Sequence, residues 1–108
     1  MELDRRKYPR IATDQVISFS YLDEQSQLAL GRDVSVGGIR FEVSGCEIDL
    51  GDVLRLTFNV DGETVVATGR VAWSTEIDPV TMDVGIEFVE VDPRAAEVLA
   101  ELADKPEF

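Results

Sequence analysis

Apolar and polar residues alternate along the chain with a period of two from about Val16 to Val89. This period is typical of β-strands that bury one face and expose the other. The clearest apolar positions are Ile17, Phe19 and Tyr21, then Ile39, Phe41 and Val43, and then Leu54, Leu56, Phe58 and Val60. Together with a segment from about Leu28 to Val34 and two later segments, the pattern predicts six strands.

Turn signals separate the last three strands. Asp61-Gly62 predicts a two-residue hairpin, because both residues tolerate the positive φ angles of a type I′ turn. Asp78-Pro79 interrupts the alternation a second time. The inward positions expected before and after that break are Val65, Ala67, Val71 and Trp73, and then Val84, Ile86 and Phe88. The pattern therefore favours a core position for Trp73 over the alternative of a stacking platform.

The period becomes helical after the sixth strand. Asp92 is a suitable N-cap, and Pro93 fits the first turn, where its missing N–H costs nothing. One helical face carries Ala95, Val98, Leu99, Leu102 and Ala103, and Lys105-Pro106 ends the helix. Closing six short antiparallel strands into a barrel removes their unpaired edges, and a helix can cover an open side. The expected fold is all-β: a six-stranded antiparallel barrel with one short C-terminal helix.

The length of 108 residues predicts a single domain over residues 1–108. We expect a flexible arm over residues 1–12, the barrel over 13–91 and the helix over 92–104. The arm has no strand alternation, and Pro9 interrupts pairing. No apolar run approaches the roughly 20 residues of a membrane span, so we expect a cytoplasmic protein without membrane insertion.

The residue types present disfavour catalysis. The single cysteine, Cys46, cannot form an internal disulfide, and the chain contains no histidine. Histidine is the commonest member of metal sites and general-base arrangements, so zinc and hydrolytic chemistry lose their usual ligands and bases. We expect no catalytic residue, no metal site and no cofactor, and we predict that the protein is not an enzyme.

Charge is distributed unevenly along the chain. The net charge is −12, but the first ten residues hold four basic and two acidic side chains, so they carry +2 and the other 98 residues carry −14. Binding to a nucleic-acid polymer requires many Lys and Arg contacts with phosphates, which this acidic body lacks. A compact basic arm on an acidic body fits one small anionic ligand better.

The arm contains the first candidate site, an Arg-x-x-x-Arg spacing at Arg6 and Arg10 with Arg5 and Lys7 alongside. A guanidinium presents a planar fork of donors that can hold phosphate oxygens or the O6 and N7 atoms of guanine, and it can stack on a purine. The alternative is a solvated basic tail.

The second candidate site is the stretch from Gly31 to Gly38 between two predicted strands. Gly37 and Gly38 allow a tight turn and close approach of a ligand, Ser35 offers a hydroxyl to phosphate, and Asp33 accepts hydrogen bonds. The N1–H and N2–H₂ groups of guanine are a matching pair of donors. The alternative is an ordinary polar hairpin connection.

Together, these two motifs resemble those of the PilZ domain family. Its members have an Arg-x-x-x-Arg motif before a six-stranded barrel and an Asp/Asn-x-Ser-x-x-Gly motif near the early strands. This chain is similar at Arg6 and Arg10, and again at Asp33, Ser35 and Gly38. Further similarity lies in Gly38-Ile39-Arg40-Phe41, in Gly69-Arg70-Val71-Ala72-Trp73 and in Val84-Gly85-Ile86-Glu87-Phe88. The resemblance covers nearly the whole chain.

The resemblance implies binding of cyclic di-GMP, with an arm that is mobile without ligand and folds onto the barrel with it. Arg6 and Arg10 would engage guanine and phosphate, and Asp33 would hold the guanine edge. In the same scheme Ser35 would contact phosphate and Gly38 would leave room for the nucleotide.

Three further arginines are candidates for the same site. Arg5 resembles the longer basic arms of members that bind two intercalated cyclic di-GMP molecules, so one and two ligands per protomer both stay open. Arg40 and Arg70 lie on outer strand faces, where they either extend the site or only increase solubility.

These features predict a binding module that relays a second-messenger signal, in motility or biofilm regulation, to a downstream protein that the sequence does not identify. Since a chain of this length is expected to carry no fused output domain, the partner must detect the changed arm. Three alternatives are a PilZ-like adaptor in motility or export machinery that binds no nucleotide, an enzyme, and an OB-like binder of single strands. The intact motifs oppose the first, and the missing catalytic groups oppose the second. The acidic charge and inward aromatics oppose the third.

Overall fold

The computed structural model describes residues 11–22 and 24–104, with backbone only for residues 102–104. These residues form six strands and one helix, in the order expected from the sequence. The elements are β1 (Ile11–Tyr21), β2 (Gln27–Val34), β3 (Gly38–Ser44), β4 (Val53–Val60), β5 (Glu63–Asp78), β6 (Thr81–Val91) and α1 (Pro93–Asp104).

The strands form a closed barrel in the order β1-β2-β3-β6-β5-β4, and every neighbouring pair is antiparallel. β1 closes the barrel by pairing with β4, with Ser18 opposite Thr57 and Tyr21 opposite Leu54. Closure gives each strand two hydrogen-bonded neighbours, which removes the free edges of an open sheet. The predicted fold class is confirmed.

The core consists of the inward residues of all six strands and one face of the helix. Phe19 and Phe41 stack at its centre with their ring centroids 5.2 Å apart, and Phe58 stacks on Phe88 at 5.9 Å. The predicted inward positions of β1, β3 and β4 are buried, except for Tyr21, which is partly buried against the core. Alternation therefore identified the buried face of these strands correctly.

The hairpin predicted at Asp61-Gly62 is confirmed. Both residues have positive φ angles, 52° for Asp61 and 80° for Gly62, as a type I′ turn requires. The next hairpin turns at Pro79 and Val80, and the amide of Val80 donates to Oδ1 of Asp78 at 2.9 Å. The predicted break at Asp78-Pro79 is therefore a tight turn between β5 and β6.

The prediction that Trp73 lies in the core is wrong, because its side chain is 39% exposed. Val71 lies opposite Ile86, but Trp73 lies opposite Gly85, so β5 contains one extra residue at Ala72. A β-bulge of this kind reverses the inward and outward alternation of the residues after it. Val71 therefore faces the core, and Trp73 faces outward.

Helix α1 begins after Asp92, as predicted. The Asp92 carboxylate accepts a hydrogen bond from the amide of Ala95 at 2.8 Å, which is N-cap geometry. Ala95, Val98 and Leu99 are buried in the core cluster. The side chains of Leu102 and Ala103, expected on the same face, lie outside the described part of the chain. No helix among the described residues has the length and apolar composition needed to cross a membrane.

Candidate functional site

Three hydrogen bonds hold the turn between β2 and β3, residues 35–38, and two of them join backbone groups only. The amide of Ser35 donates to the carbonyl of Gly38 at 2.8 Å, and the amide of Gly37 donates to Oγ of Ser35 at 3.2 Å. The Gly37 carbonyl accepts from the amide of Phe88 at 2.9 Å, which fixes the turn to β6. The predicted ligand-binding residues Ser35, Gly37 and Gly38 thus lie in a turn with a defined backbone.

Ser35 is buried, at 5% exposure, and is the one buried polar residue among those that the structure describes. Its Oγ already accepts the amide of Gly37, so the hydroxyl hydrogen is the group that remains for donation. In a contact with a phosphate, the Ser35 hydroxyl would therefore donate the hydrogen bond.

Gly38 is required by the contact between β3 and β6. A Cβ atom at this position would overlap the backbone carbonyl oxygen of Ile86. Backbone of a neighbouring strand cannot move aside as a flexible side chain can, so any larger residue at position 38 displaces the strand. The structure therefore gives Gly38 a structural role, and the room it would leave for a nucleotide stays a prediction.

A β-bulge at Arg32 determines where Asp33 points. Gly31 lies opposite Phe41 in the buried layer, but Asp33 lies opposite Arg40, so β2 has one extra residue between them. Without the bulge, Asp33 would lie on the same inward face as Gly31. The bulge places Asp33 on the outer face, beside Arg40 and two residues before the first residue of the turn.

Arg40 joins two carboxylates on this outer face. Its Nε donates to Oδ2 of Asp33 and its Nη1 to Oδ2 of Asp83, both at 2.9 Å. The side chains of Asp33 and Asp83 are each 18% exposed and that of Arg40 is 35% exposed. The hydrogen bond that Arg40 donates to Asp33 is the largest cause that raises the pKa of Arg40. Arg40, which the sequence left undecided, is therefore in direct contact with the predicted guanine-binding carboxylate.

Asp83 contacts Arg40 beside the candidate site, and the sequence analysis did not single it out. Its Oδ1 is buried and has no hydrogen-bond partner among the described residues, although its Oδ2 binds Arg40. In the sequence it is one more outward polar residue of an alternating strand. Its importance depends on the register of β3 and β6, which places Arg40 opposite Gly85, two residues along β6 from Asp83.

Trp73 is the second residue that sequence reasoning missed. Arg40, Gly85 and Trp73 occupy one row across β3, β6 and β5. The indole ring lies against Gly85, where a Cβ atom would overlap ring atoms Cε2 and Nε1. A glycine inside a strand often marks a place where another group approaches closely, so Gly85 was the available signal.

The remaining predicted residues fall into two groups. Glu87 on β6 lies opposite Gly38 on one side and opposite Arg70 on the other. Arg70 is therefore two strand spacings, or about 10 Å, from Gly38. Arg70 is exposed, and Glu87 separates it from Gly38, so Arg70 lies at the periphery of the candidate site. Arg5, Arg6 and Arg10 lie outside the described residues.

Other chemistry finds little support in the described part of the chain. No group of three or more His, Cys, Asp or Glu side chains there has an arrangement that would hold a metal ion. Cys46 is half-buried, and burial raises the pKa of its thiol, which disfavours the reactive thiolate.

Comparisons with known proteins agree with this geometry. The family model of the PilZ domain matches residues 4–105. Among solved structures, the PilZ domain of YcgR from Escherichia coli with c-di-GMP has a TM-score of 0.70 and 16% identity, covering 93% of this chain and 89% of that chain. No curated protein sequence matches the chain significantly.

Two larger proteins contain the same fold. The Bacillus subtilis inhibitor of motility MotI/DgrA has a TM-score of 0.72 and 19% identity over 94% of this chain, which spans half of that protein. Borreliella burgdorferi PlzA in complex with c-di-GMP has a TM-score of 0.66 and 14% identity, with 94% of this chain and 42% of that chain covered. At these identities the likeness establishes the fold.

Proposed function

Because the chain belongs to the PilZ domain family, we propose that it is a receptor for cyclic di-GMP that relays the signal to a partner protein without catalysis. YcgR and PlzA, whose folds it shares, were solved with c-di-GMP. The observation that carries the proposal is the contact between Asp33 and Arg40. The bulge at Arg32 directs Asp33 to the outer face of the barrel, close to the turn that contains Gly37 and Gly38.

Asp33 is proposed to recognise the guanine edge. A carboxylate accepts several hydrogen bonds at once, so it can take the N1–H and N2–H₂ donors of guanine while it contacts Arg40. Adenine presents a different edge, with an acceptor at N1, so this contact also favours guanine over adenine. Arg40 orients the carboxylate, because its Nε holds one oxygen at 2.9 Å.

Phosphate contacts are proposed for the arm and the turn. Ala12 lies opposite Asp33, and only two peptide units, at most about 7 Å, separate it from Arg10. Arg6 and Arg10 would supply the permanent positive charge that the acidic barrel lacks, and Ser35 would donate its hydroxyl. Arg5 is proposed as an additional contact when two intercalated ligands bind.

Trp73 is proposed as a stacking surface for a purine. Its indole is partly exposed and lies in the same row as Arg40, across Gly85. Aromatic rings stack with nucleobases, and such contacts contribute about 1–3 kcal/mol per base. This role replaces the core position that the alternation predicted.

Isothermal titration with cyclic di-GMP tests the proposal directly, with cyclic di-AMP and GTP as controls. We expect saturable binding of cyclic di-GMP alone, with a molar ratio near one for a single ligand or near two for an intercalated pair. An Arg55→Ala variant is the matched control for loss of a positive charge, because Arg55 is exposed on β4 and faces away from the core. Absence of binding at high ligand concentration would instead favour the adaptor that binds no nucleotide.

A further inference from the structure

A cleft of about 460 Å³ lies between the loop after β3 and the β5–β6 hairpin. We call it the distal cleft. The residues that line it include the acidic Glu47, Glu76 and Asp78 and the apolar Val80 and Met82. The amide of Gly45 donates to the carbonyl of Val80 at 2.9 Å and ties the two walls together.

The distal cleft is separate from the nucleotide site. Thr81, which lines the cleft, pairs with Ser44 at the end of β3 that is opposite to Gly38 and Glu87. Six residue steps along the strand separate the two pairs, a distance of about 20 Å. The lining of the cleft includes none of Asp33, Arg40 and Trp73, although Asp83, which contacts Arg40, directly follows the lining residue Met82.

None of the described residues that line the cleft carries a positive charge. The sequence contains no Lys or Arg between residues 41 and 54 or between residues 71 and 93, the two segments that supply its lining. Within the described part of the chain, none of Glu47, Glu76 and Asp78 forms a salt bridge. Clefts lined by one sign of charge concentrate ligands of the opposite sign.

Apolar surface accompanies this charge. Val80 occupies the tip of a tight turn, a position that polar or glycine residues usually fill, and it is 64% exposed. Met82 is half-buried at the side of the cleft, and its flexible thioether adapts to varied apolar partners. Neither the barrel core nor the nucleotide site needs an exposed valine here.

We propose that the distal cleft binds a segment of a partner protein in which basic residues flank an apolar anchor. Lysine or arginine side chains would meet Glu47 and Glu76, and the anchor would contact Val80 and Met82. This inference does not rest on nucleotide binding, because the cleft contains none of the residues assigned to cyclic di-GMP.

Nuclear magnetic resonance of the full chain with a synthetic peptide provides the test. The probe is an acetylated peptide of alternating lysine and leucine, and its control has glutamate at each lysine position. We expect the basic peptide to shift backbone amide signals of residues 45–47 and 76–82, and not those of residues 33–40. Added NaCl should weaken the effect, because exposed charges are screened. The acidic peptide should have no effect.

Two double variants separate a specific site from general attraction to an acidic protein. Glu47→Gln with Glu76→Gln removes two charges from the cleft, whereas Glu90→Gln with Glu101→Gln removes two exposed charges elsewhere. We expect the first pair to weaken peptide binding about fivefold or more, and the second pair to change it less than twofold. A Val80→Ser variant should also weaken binding, since it removes the exposed apolar contact.

Several results would overturn the proposal. These are equal effects of the two double variants, shifts spread over the whole barrel, equal responses to both peptides, and no binding. Shifts of the same amides with protein concentration, in the absence of peptide, would identify a second copy of this chain as the occupant and would also overturn it.

Discussion

The indole ring of Trp73 packs directly against Gly85 on the outer face of the barrel. A Cβ atom at position 85 would overlap the ring, so the ring can occupy this place only because the residue is glycine. The bulge at Ala72 turns Trp73 outward, and the register of β5 and β6 places it over Gly85. Trp73 is the one tryptophan in the sequence, so its fluorescence reports on this contact alone.

A Gly85→Ala substitution should displace the indole ring into solvent. The ring is already partly exposed and can swing outward, so we expect a loss of about 1 kcal/mol in the free energy of unfolding, the lower end of the range for overpacking. Tryptophan emission should shift to longer wavelength, and affinity for cyclic di-GMP should fall. Unchanged emission in the folded variant would contradict the packing of Trp73 on Gly85.

Bulges explain where the sequence pattern failed. Period-two alternation identifies the buried face of β1, β3 and β4, because no bulge interrupts the series of apolar residues that was used to predict each face. It fails at Trp73, since the extra residue at Ala72 reverses the alternation and leaves no apolar or polar signal of its own. A bulge is set by pairing between strands, which a single sequence does not display.

The same limit applies to the candidate site. The spacing of Asp33, Ser35 and Gly38 predicted that they lie in one turn, but the outward direction of Asp33 depends on the bulge at Arg32. Asp83 is 43 residues from Arg40 in sequence, and only the register of β3 and β6 joins them. The sequence therefore revealed the local motif, but it did not reveal the contacts between residues on different strands.

Removing both arm arginines should abolish tight binding of cyclic di-GMP. Each charged hydrogen bond lost costs about 1.5–3 kcal/mol, so an Arg6→Ala, Arg10→Ala double variant should bind at least about tenfold more weakly. Isothermal titration measures the change, and the Arg55→Ala variant is the control. The midpoint of thermal unfolding should hardly change. Undiminished binding by the double variant would rule out a role for the arm.

Asp33 should control selectivity for guanine more than attraction to phosphate. An Asp33→Ala variant loses the acceptor for the guanine edge and retains the arm, so the affinity ratio of cyclic di-GMP to cyclic di-AMP should fall at least about tenfold. Glu63→Ala is a suitable control, because it also breaks a carboxylate–arginine contact, with Arg94 at 2.6 Å, but on β5 beside the helix. An equal loss of affinity for both nucleotides would assign Asp33 to general binding.

Tyr21 and Asp52 should give the barrel a pH-dependent increment of stability. The Tyr21 hydroxyl donates to Oδ2 of Asp52 at 2.6 Å and, with the backbone N–H of Asp49, lowers the pKa of Asp52. Burial, and then the bond to Asp52, raises the pKa of Tyr21. A carboxyl group whose pKa is lowered by folding stabilises the fold at pH values above its ordinary pKa near 4, and this stabilisation is lost as the pH falls. A tyrosine whose pKa is raised by folding stabilises the fold at pH values below its ordinary pKa near 10, and this stabilisation is lost as the pH rises.

A Tyr21→Phe variant should therefore lose about 1 kcal/mol in the free energy of unfolding between about pH 5 and pH 9. The difference from the parent protein should shrink on both sides of that range. Urea unfolding across the range measures it. An Asp52→Asn variant keeps an acceptor for the hydroxyl but no charge, so its own deficit should shrink on the acid side. A deficit of Tyr21→Phe that is constant down to pH 2 would show that Asp52 is not its source.

Asp92 should fix the start of the C-terminal helix. Its carboxylate accepts the amide of Ala95, and its negative charge lies at the positive end of the helix dipole. An Asp92→Ala variant should lose about 1 kcal/mol in the free energy of unfolding, and the amide of Ala95 should exchange with solvent faster. Because Val98 and Leu99 bury this helix against the barrel, fraying of its first turn also loosens part of the core.

An Asp92→Asn variant separates capping from charge. Asparagine is as good an N-cap as aspartate, so it should retain most of the stability that alanine loses. The helix packs against β4 and β5, while Asp33 and the turn at residues 35–38 join β2 to β3, so affinity for cyclic di-GMP should stay unchanged in both variants. If Asp92→Asn destabilised the protein as much as Asp92→Ala, the charge rather than the cap would hold the helix. Reduced nucleotide affinity in both would indicate that the helix and the site are coupled through the barrel.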